Sequence, residues 1–237
     1  MTDIAAKPSA KPEPGKGPVV QRLFGAIAQR YDLANHLFSG GLDFVWRRRA
    51  AKVVRAWAPK RVLDMATGSG DLALAITKKC PDAAVVGADF CQPILDIARR
   101  KGLTNLVQAD ALNLPFLNGE FDVLTVAFGL RNMENWERAL SEFARVLRPG
   151  GHLLVLDFSV PRAPLRWLYR IYLHRIVPRL AGLLTGEKCA YEYLGASIEE
   201  FPQGDAMNRL IAVAGFDETR CQPLSAGIVS LYTARRI

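Results

Sequence analysis

Arg61-Val-Leu-Asp-Met-Ala-Thr-Gly-Ser-Gly-Asp71 is the stretch on which the reading of this chain turns. Val62 and Leu63 close a short apolar run that reads as a buried strand. Gly68 and Gly70 carry no Cβ, so the backbone can turn sharply there and come close to a ligand. Asp71 stands where a helix N-cap belongs, ahead of the helix-forming run Leu72-Ala-Leu-Ala-Ile76. Strand, glycine turn and helix open a nucleotide-binding βαβ unit, whose exposed amides can cradle a cofactor.

Taken alone, this stretch leaves several readings open. Gly68-Ser-Gly-Asp-Leu-Ala73 fits the GxGxxA dinucleotide fingerprint, so NAD competes, and a tight turn without a ligand would look the same. The next strand narrows the choice. Ala84-Val-Val-Gly-Ala-Asp89 ends in an acid about 20 residues beyond the glycines, where a carboxylate can take both ribose hydroxyls of an adenosine. An adenosine-bearing cofactor is expected, and its chemistry stays open at this point.

Composition limits the rest. A chain of 237 residues makes one domain, or one domain with an elaboration, and its 50% hydrophobic content suits a globular core. No run approaches the roughly 18 apolar residues of a membrane span, and the N-terminus lacks the apolar centre of a signal peptide. A net charge of +8 calls for an anionic partner: nucleic acid, a membrane surface or an acidic small molecule. Cys80, Cys91, Cys189 and Cys221 form no CxxC pair and no metal-ligand spacing, so reduced thiols in a cytoplasm are expected and a metal is not.

In chain order, residues 1–18 form a basic, Pro/Ala/Lys-rich tail expected to be disordered. Residues 19–58 read as an N-terminal helical cap, with Leu42 to Trp57 apolar at helical spacing and Pro59 ending it. Ile94 to Arg100 is a second helix after the glycine turn, and Asn105-Leu-Val-Gln-Ala-Asp110 a third strand, again ending in an acid. Asp110 and the amides beyond it could grip an adenine amino group, although a loop-capping aspartate would show the same pattern. Phe121 to Phe128 is a fourth strand with few charges, as expected of one buried on both faces. Gly129-Leu-Arg-Asn132 follows at its carboxyl end, where open α/β sheets bind ligands. A helix from Trp136, the turn Arg148-Pro-Gly-Gly151 and a strand from His152 to Phe158 come next.

Residues 162–200 differ in character and read as an insertion facing substrate or membrane. Arg162, Arg166 and Arg170 recur every four residues, as do Arg175 and Arg179, with Trp167, Leu168, Tyr169, Leu173 and Ile176 among them. Such a basic, aromatic segment can lie on a membrane or line an apolar pocket, and an ordinary packed helix fits equally well. A helix over Ala206 to Ala214 and two closing strands, Phe216 to Gln222 and Gly227 to Thr233, complete an α/β chain of seven strands, the last antiparallel.

That order, with acids ending the first three strands, resembles the class I S-adenosylmethionine-dependent methyltransferases, a Rossmann-like fold. Ile27-Ala-Gln-Arg-Tyr-Asp-Leu-Ala-Asn35, Gly41-Leu-Asp-Phe-Val-Trp-Arg-Arg48, Leu63 to Asp71 and Phe128-Gly-Leu-Arg-Asn132 are similar to the ubiquinone/menaquinone C-methyltransferase family. So are Arg145-Val-Leu-Arg-Pro-Gly-Gly151, Tyr193-Leu-Gly-Ala-Ser-Ile-Glu-Glu-Phe-Pro202 and Gly227-Ile-Val-Ser-Leu231, so the resemblance runs from about Phe24 to the C-terminus. It implies methyl transfer from S-adenosylmethionine to a ring carbon of a prenylated quinol. The acceptor is then 2-demethylmenaquinol, or in the ubiquinone branch 2-methoxy-6-polyprenyl-1,4-benzoquinol.

The family's cofactor positions fall on Ser69, Asp89, Asp110 and Ala111, with Gly68 shaping the turn. Ser69 stands where the family usually has Thr, Ala127 where Ser is frequent, and Gly195 where Pro or Ala is common. Carbon methylation needs alignment, exclusion of water, a base and a cation for the developing phenolate. Arg131 is expected to be that cation or to orient a water, Asn132 to hydrogen-bond a quinol oxygen, Tyr31 to close over the ring and His174 to act as base. The expected setting is cytoplasmic, peripheral to the inner face of the membrane, with the quinol and the bilayer as partners and homodimerisation left open. Nucleic acid is not expected. The tetrapeptide of amino-group methylases, Asn or Asp followed by Pro-Pro and an aromatic, is absent, and Phe128-Gly-Leu-Arg131 takes its place. An NAD-dependent oxidoreductase leaves the Tyr-Asp and Phe-Gly-Leu-Arg-Asn elements unexplained, and a non-catalytic scaffold with a retained cofactor fold would be excluded by methyl transfer to any quinol.

Overall fold

A computed structural model describes residues 39–177, 179 and 188–237. The expected tail, the first part of the helical cap and Tyr31 therefore lie outside the described residues. Seven strands form one sheet: β1 (Arg61–Met65), β2 (Ala84–Asp89), β3 (Leu106–Gln108), β4 (Phe121–Ala127), β5 (Leu147–Phe158), β6 (Phe216–Leu224) and β7 (Val229–Arg236), in the order β3-β2-β1-β4-β5-β7-β6. β1 to β5 run parallel, and β7 is antiparallel to both β5 and β6. The strand order reverses between β1 and β4, so a crevice opens at the carboxyl ends of those two strands.

Side chains alternate across the sheet and feed two cores. Leu63, Met65, Leu124, Val126, Leu153 and Val155 face one side, under Phe143 of α4 (Trp136–Val146) and Ile211 of α7 (Asp205–Val213). Val62, Val123, Leu154 and Leu156 face the other, under α1 (Leu42–Ala56), α2 (Asp71–Lys79) and α3 (Gln92–Arg100). α1 buries Asp43, Trp46, Ala50, Ala51 and Val54, a helical stripe whose two alanines let it pack closely. Two further helices, α5 (Leu165–Ile171) and α6 (Lys188–Glu200), flank the carboxyl edge.

Three local expectations are corrected. Gly70, in a left-handed conformation with φ 86°, caps α2 without a side-chain bond, and Asp71 is the first helical residue rather than the cap. The Arg148 to Gly151 turn is built into β5, which begins at Leu147 with an irregular register beside Phe121 and Val123. β3 is three residues long and stops before Asp110.

Candidate active site

The glycine turn is tied to the strands on both sides. Asp89, at the end of β2, accepts the Gly68 amide at 2.9 Å on Oδ2 and the Cys91 amide at 3.0 Å on Oδ1. Burial pushes its carboxyl above the ordinary range, and the bonds from Cys91, Gly68 and Phe90 pull it back. Each carboxylate oxygen keeps acceptor capacity for a ribose hydroxyl. Above the turn there is room, because a Cβ built on Gly68 would meet only Ile94 Cδ1, at 3.9 Å.

Ser69 and Gly70 face the other way, into the protein. Ser69 is buried and its hydroxyl accepts a bond from Lys101 Nζ at 2.9 Å, while the same ammonium pairs with Asp71 at 2.8 Å. The lysine ties the turn to the C-terminal end of α3. Sequence reasoning did not single out Lys101, since nothing but the folded contact marks it. Asp110 is exposed, its Oδ1 accepts the Leu112 amide at 2.9 Å, and it bridges to Asn113, which is the loop-capping geometry. Ala111 beside it is buried.

Asp64 is an acid that sequence reasoning did not assign to the site. It is 1% exposed at the end of β1 and accepts hydroxyl bonds from Thr67 at 2.7 Å and Thr125 at 2.6 Å. Burial raises its carboxyl from 3.8 to about 6, opposed by the two threonines and then by the charge of Arg47. The motif's spelling contains Asp64, but only the packed sheet reveals that it is a buried group shared by β1, β4 and the turn.

The floor across β1 and β4 is tight. A Cβ on Gly129 would fall 2.4 Å from that of Ala66, so the two strand ends meet there. Phe128 precedes it at φ 59°, a backbone region that bulky residues avoid and that clusters at functional sites. Its ring lies 6.1 Å from that of Trp46 and 4.7 Å from that of Phe158, forming an aromatic wall. Trp46 is fixed by an edge-on contact with Phe158 and by an Nε1 bond to Ser225 at 2.8 Å.

Arg131 and Asn132 follow on a short 3-10 turn, Leu130–Asn132, at the end of β4 as expected. Arg131 is buried: its Nη1 donates to Asp157 Oδ1 at 2.8 Å and to the Phe128 carbonyl, and its guanidinium lies over the Phe158 ring. Asp157, at the end of β5, was missed, because a lone acid inside an apolar strand gives no sequence signal for its partner. Burial raises its carboxyl, and the Arg131 charge opposes that. Asn132 donates weakly to the Phe128 carbonyl at 3.4 Å, while its Oδ1 is buried with no hydrogen-bond partner among the described residues.

His174 sits elsewhere. It belongs to the π-helical turn Tyr172–Ile176, is exposed, and pairs with Glu199 at 3.2 Å. Gly195 of α6 makes room for it, since a Cβ there would lie 3.1 Å from His174 Cε1. The described residues thus bring together Gly68, Asp89, Asp64, Phe128, Arg131 and Asn132, and they bring His174 to Glu199. α5 and this π-helical turn face Tyr169 and Leu173 inward and leave Leu165, Trp167, Leu168 and Ile176 exposed among Arg162, Arg166, Arg170 and Arg175.

Known proteins resemble this chain in both sequence and fold. The ubiE/COQ5 methyltransferase family matches residues 11–236. A protein of Thermus thermophilus named demethylmenaquinone methyltransferase is 48% identical over 220 residues, covering 90% of this chain and 100% of its own. One of Geobacter sulfurreducens, named ubiquinone/menaquinone biosynthesis C-methyltransferase UbiE, is 39% identical, with 93% and 90% covered. Among solved structures, a SAM-dependent methyltransferase of Thermotoga maritima, described as a possible histamine N-methyltransferase, superposes with a TM-score of 0.66 at 19% identity, covering 91% of this chain and 99% of that one. That likeness shows the fold, the seven-stranded class I methyltransferase sheet with its last strand antiparallel.

Proposed function

The chain belongs to the ubiE/COQ5 methyltransferase family, and from that membership we propose that it transfers a methyl group from S-adenosylmethionine to a ring carbon of a prenylated quinol, turning 2-demethylmenaquinol into menaquinol. The relative named demethylmenaquinone methyltransferase, 48% identical along its whole length, is the observation that carries this reading. Relatives named for both ubiquinone and menaquinone biosynthesis support a second acceptor, 2-methoxy-6-polyprenyl-1,4-benzoquinol.

The residues fit the cofactor. An acid at the end of β2, bonded to the amide of the glycine turn, suits a ribose, and the space over Gly68 suits a group lying across that turn. S-adenosylmethionine brings a sulfonium-activated methyl, so the chain need not supply a covalent nucleophile. Gly68 and Asp89 hold the nucleoside in this reading, with Asp110 and Ala111 beside the base and Ser69 shaping the turn from below.

The acceptor carbon becomes nucleophilic as the neighbouring quinol hydroxyl passes its proton to a water, and after methyl transfer the hydrogen on that carbon leaves as a proton to solvent, restoring the aromatic ring. Asn132 Oδ1, buried and without a partner among the described residues, is the acceptor assigned here to such a hydroxyl. Arg131 steadies the oxygen as charge develops, directly or through a water it orients, and Asp157 keeps its guanidinium in place. Trp46, Phe128 and Phe158 exclude water and give the ring an apolar face. Tyr31 is assigned to closing over that ring. His174 is not carried into this mechanism, because its pairing with Glu199 gives it a sufficient role at the surface.

A prenyl tail keeps the substrate in a bilayer. Exposed Trp167, Leu168, Leu165 and Ile176 among arginines support docking of the α5 segment on the inner, anionic face of the membrane. No helix of the described residues is long and apolar enough to cross a membrane. Binding to anionic vesicles that ignored both salt and charge reversal at Arg162, Arg166 and Arg175 would remove the docking proposal. Incubation with reduced demethylmenaquinone, followed by mass analysis for one added methyl group, tests the reaction itself.

A further inference from the structure

The Asp89 and Asp110 positions give the nucleoside a direction across the sheet. In the order β3-β2-β1-β4, a base near Asp110 and a ribose at Asp89 leave the rest of the ligand pointing over the glycine turn toward β1 and β4. The remaining portion of S-adenosylmethionine is an amino acid, with the one carboxylate of the molecule at its far end. A cation belongs there.

Arg47 occupies that place. It projects from α1, one residue beyond Trp46, whose ring is locked against Phe128 and Phe158 at the carboxyl edge. Its guanidinium lies 5.3 Å from the centre of the Phe128 ring, directly after β4. From the β1 side, its charge is felt by the buried carboxyl of Asp64. The side chain is 15% exposed and pairs through Nη1 with Asp43, itself buried and bonded by Ser39. A guanidinium has five N–H donors in a planar fork, so one bond to Asp43 leaves a face for a second carboxylate. Arg131, a buried cation at the same edge, already bonds Asp157 and the Phe128 carbonyl and lies on the acceptor side.

We propose that Arg47 binds the carboxylate of the cofactor's amino-acid portion, with Asp43 and the Phe128 ring holding the guanidinium in position. The proposal rests on the S-adenosylmethionine reading and deepens it. It also gives a use to Phe128, whose left-handed backbone carries the ring on which the arginine rests.

Calorimetric binding to the full chain, without turnover, tests the contact. Two ligands are compared: S-adenosylhomocysteine, and S-adenosyl-3-thiopropylamine, which is the same molecule without its carboxylate. Arg47→Met should weaken the first roughly tenfold or more and the second less than about twofold, while Arg47→Lys should recover part of the loss. Because Arg47→Met strands buried Asp43, the pair Asp43→Asn with Arg47→Met is measured as well and should show the same selective loss. Equal weakening of both ligands, or none for either, would overturn the contact. Wild-type protein that bound neither ligand would reject the cofactor reading itself, a result distinct from both.

Discussion

Arg131 Nη1 and Asp157 Oδ1 stand 2.8 Å apart with both side chains almost wholly withdrawn from solvent. The pair joins the ends of β4 and β5 under the turn that carries Asn132, so the position of the proposed acceptor site depends on it. Removing one partner of a buried pair leaves an uncompensated charge. Asp157→Ala should therefore cost roughly 3–5 kcal/mol of stability in denaturant unfolding. Arg131→Lys should not restore activity lost in Arg131→Met, because an ammonium lacks the fork that reaches both Asp157 and the Phe128 carbonyl. A loss below about 1 kcal/mol in Asp157→Ala would show the pair to be far better solvated than the packing implies.

Gly70 is constrained twice, by its φ of 86° and by a Cβ position only 2.3 Å from Leu103 Cδ1. Left-handed backbone and overpacking together put the cost of Gly70→Ala at roughly 2–4 kcal/mol. Adding Leu103→Ala should return the overpacking part but not the backbone part. Thermal or urea unfolding of the three variants would separate these contributions.

Asp64 ties stability to pH. Its carboxyl rises from 3.8 unfolded to about 6 folded, so the folded chain holds this proton more tightly. The stabilisation is complete below the unfolded value and is lost as pH rises through the folded one. Wild type should therefore lose roughly 3 kcal/mol relative to Asp64→Asn between about pH 4 and about pH 7. Urea unfolding of both proteins across that range checks it, and a pH-independent difference would contradict it.

The sheet was legible because each parallel strand is a short apolar run closed by glycine or an acid, and both signals are local. The chain's turn chemistry was harder to read. Asp71 looked like a cap because aspartate caps helices well, yet the left-handed Gly70 supplies that geometry and frees Asp71 to pair with Lys101. Arg131 and Asn132 were singled out because they follow a strand end, and the fold does place them there. Asp157 and Lys101 were not assigned roles, since each gains its meaning from a residue 26 or more positions away. Arg47 reads only within the basic cluster Arg47 to Arg49, as a solvated face or a contact for phosphate or lipid headgroups. His174 shows the converse: a titratable residue in a suggestive segment, which the fold pairs with Glu199 at the surface.

For His174, then, replacement by Ala should leave turnover and its pH profile unchanged. Stability should fall by no more than about 1 kcal/mol, the usual worth of an exposed pair. Loss of the acid limb, where activity rises as the base deprotonates, would restore this histidine as the base.

Methyl transfer to the quinol is the central claim, and its most direct measurement follows labelled methyl from S-adenosylmethionine in detergent. Demethylmenaquinone and the ubiquinone precursor are offered separately, each with and without reductant. Label should enter demethylmenaquinone only when it is reduced, because only the quinol has a hydroxyl to ionise and a nucleophilic ring carbon. Label in both reduced quinols would make the enzyme serve both branches. No label in either, while the protein still binds S-adenosylhomocysteine, would contradict the quinol reading and leave a methyltransferase with a different acceptor.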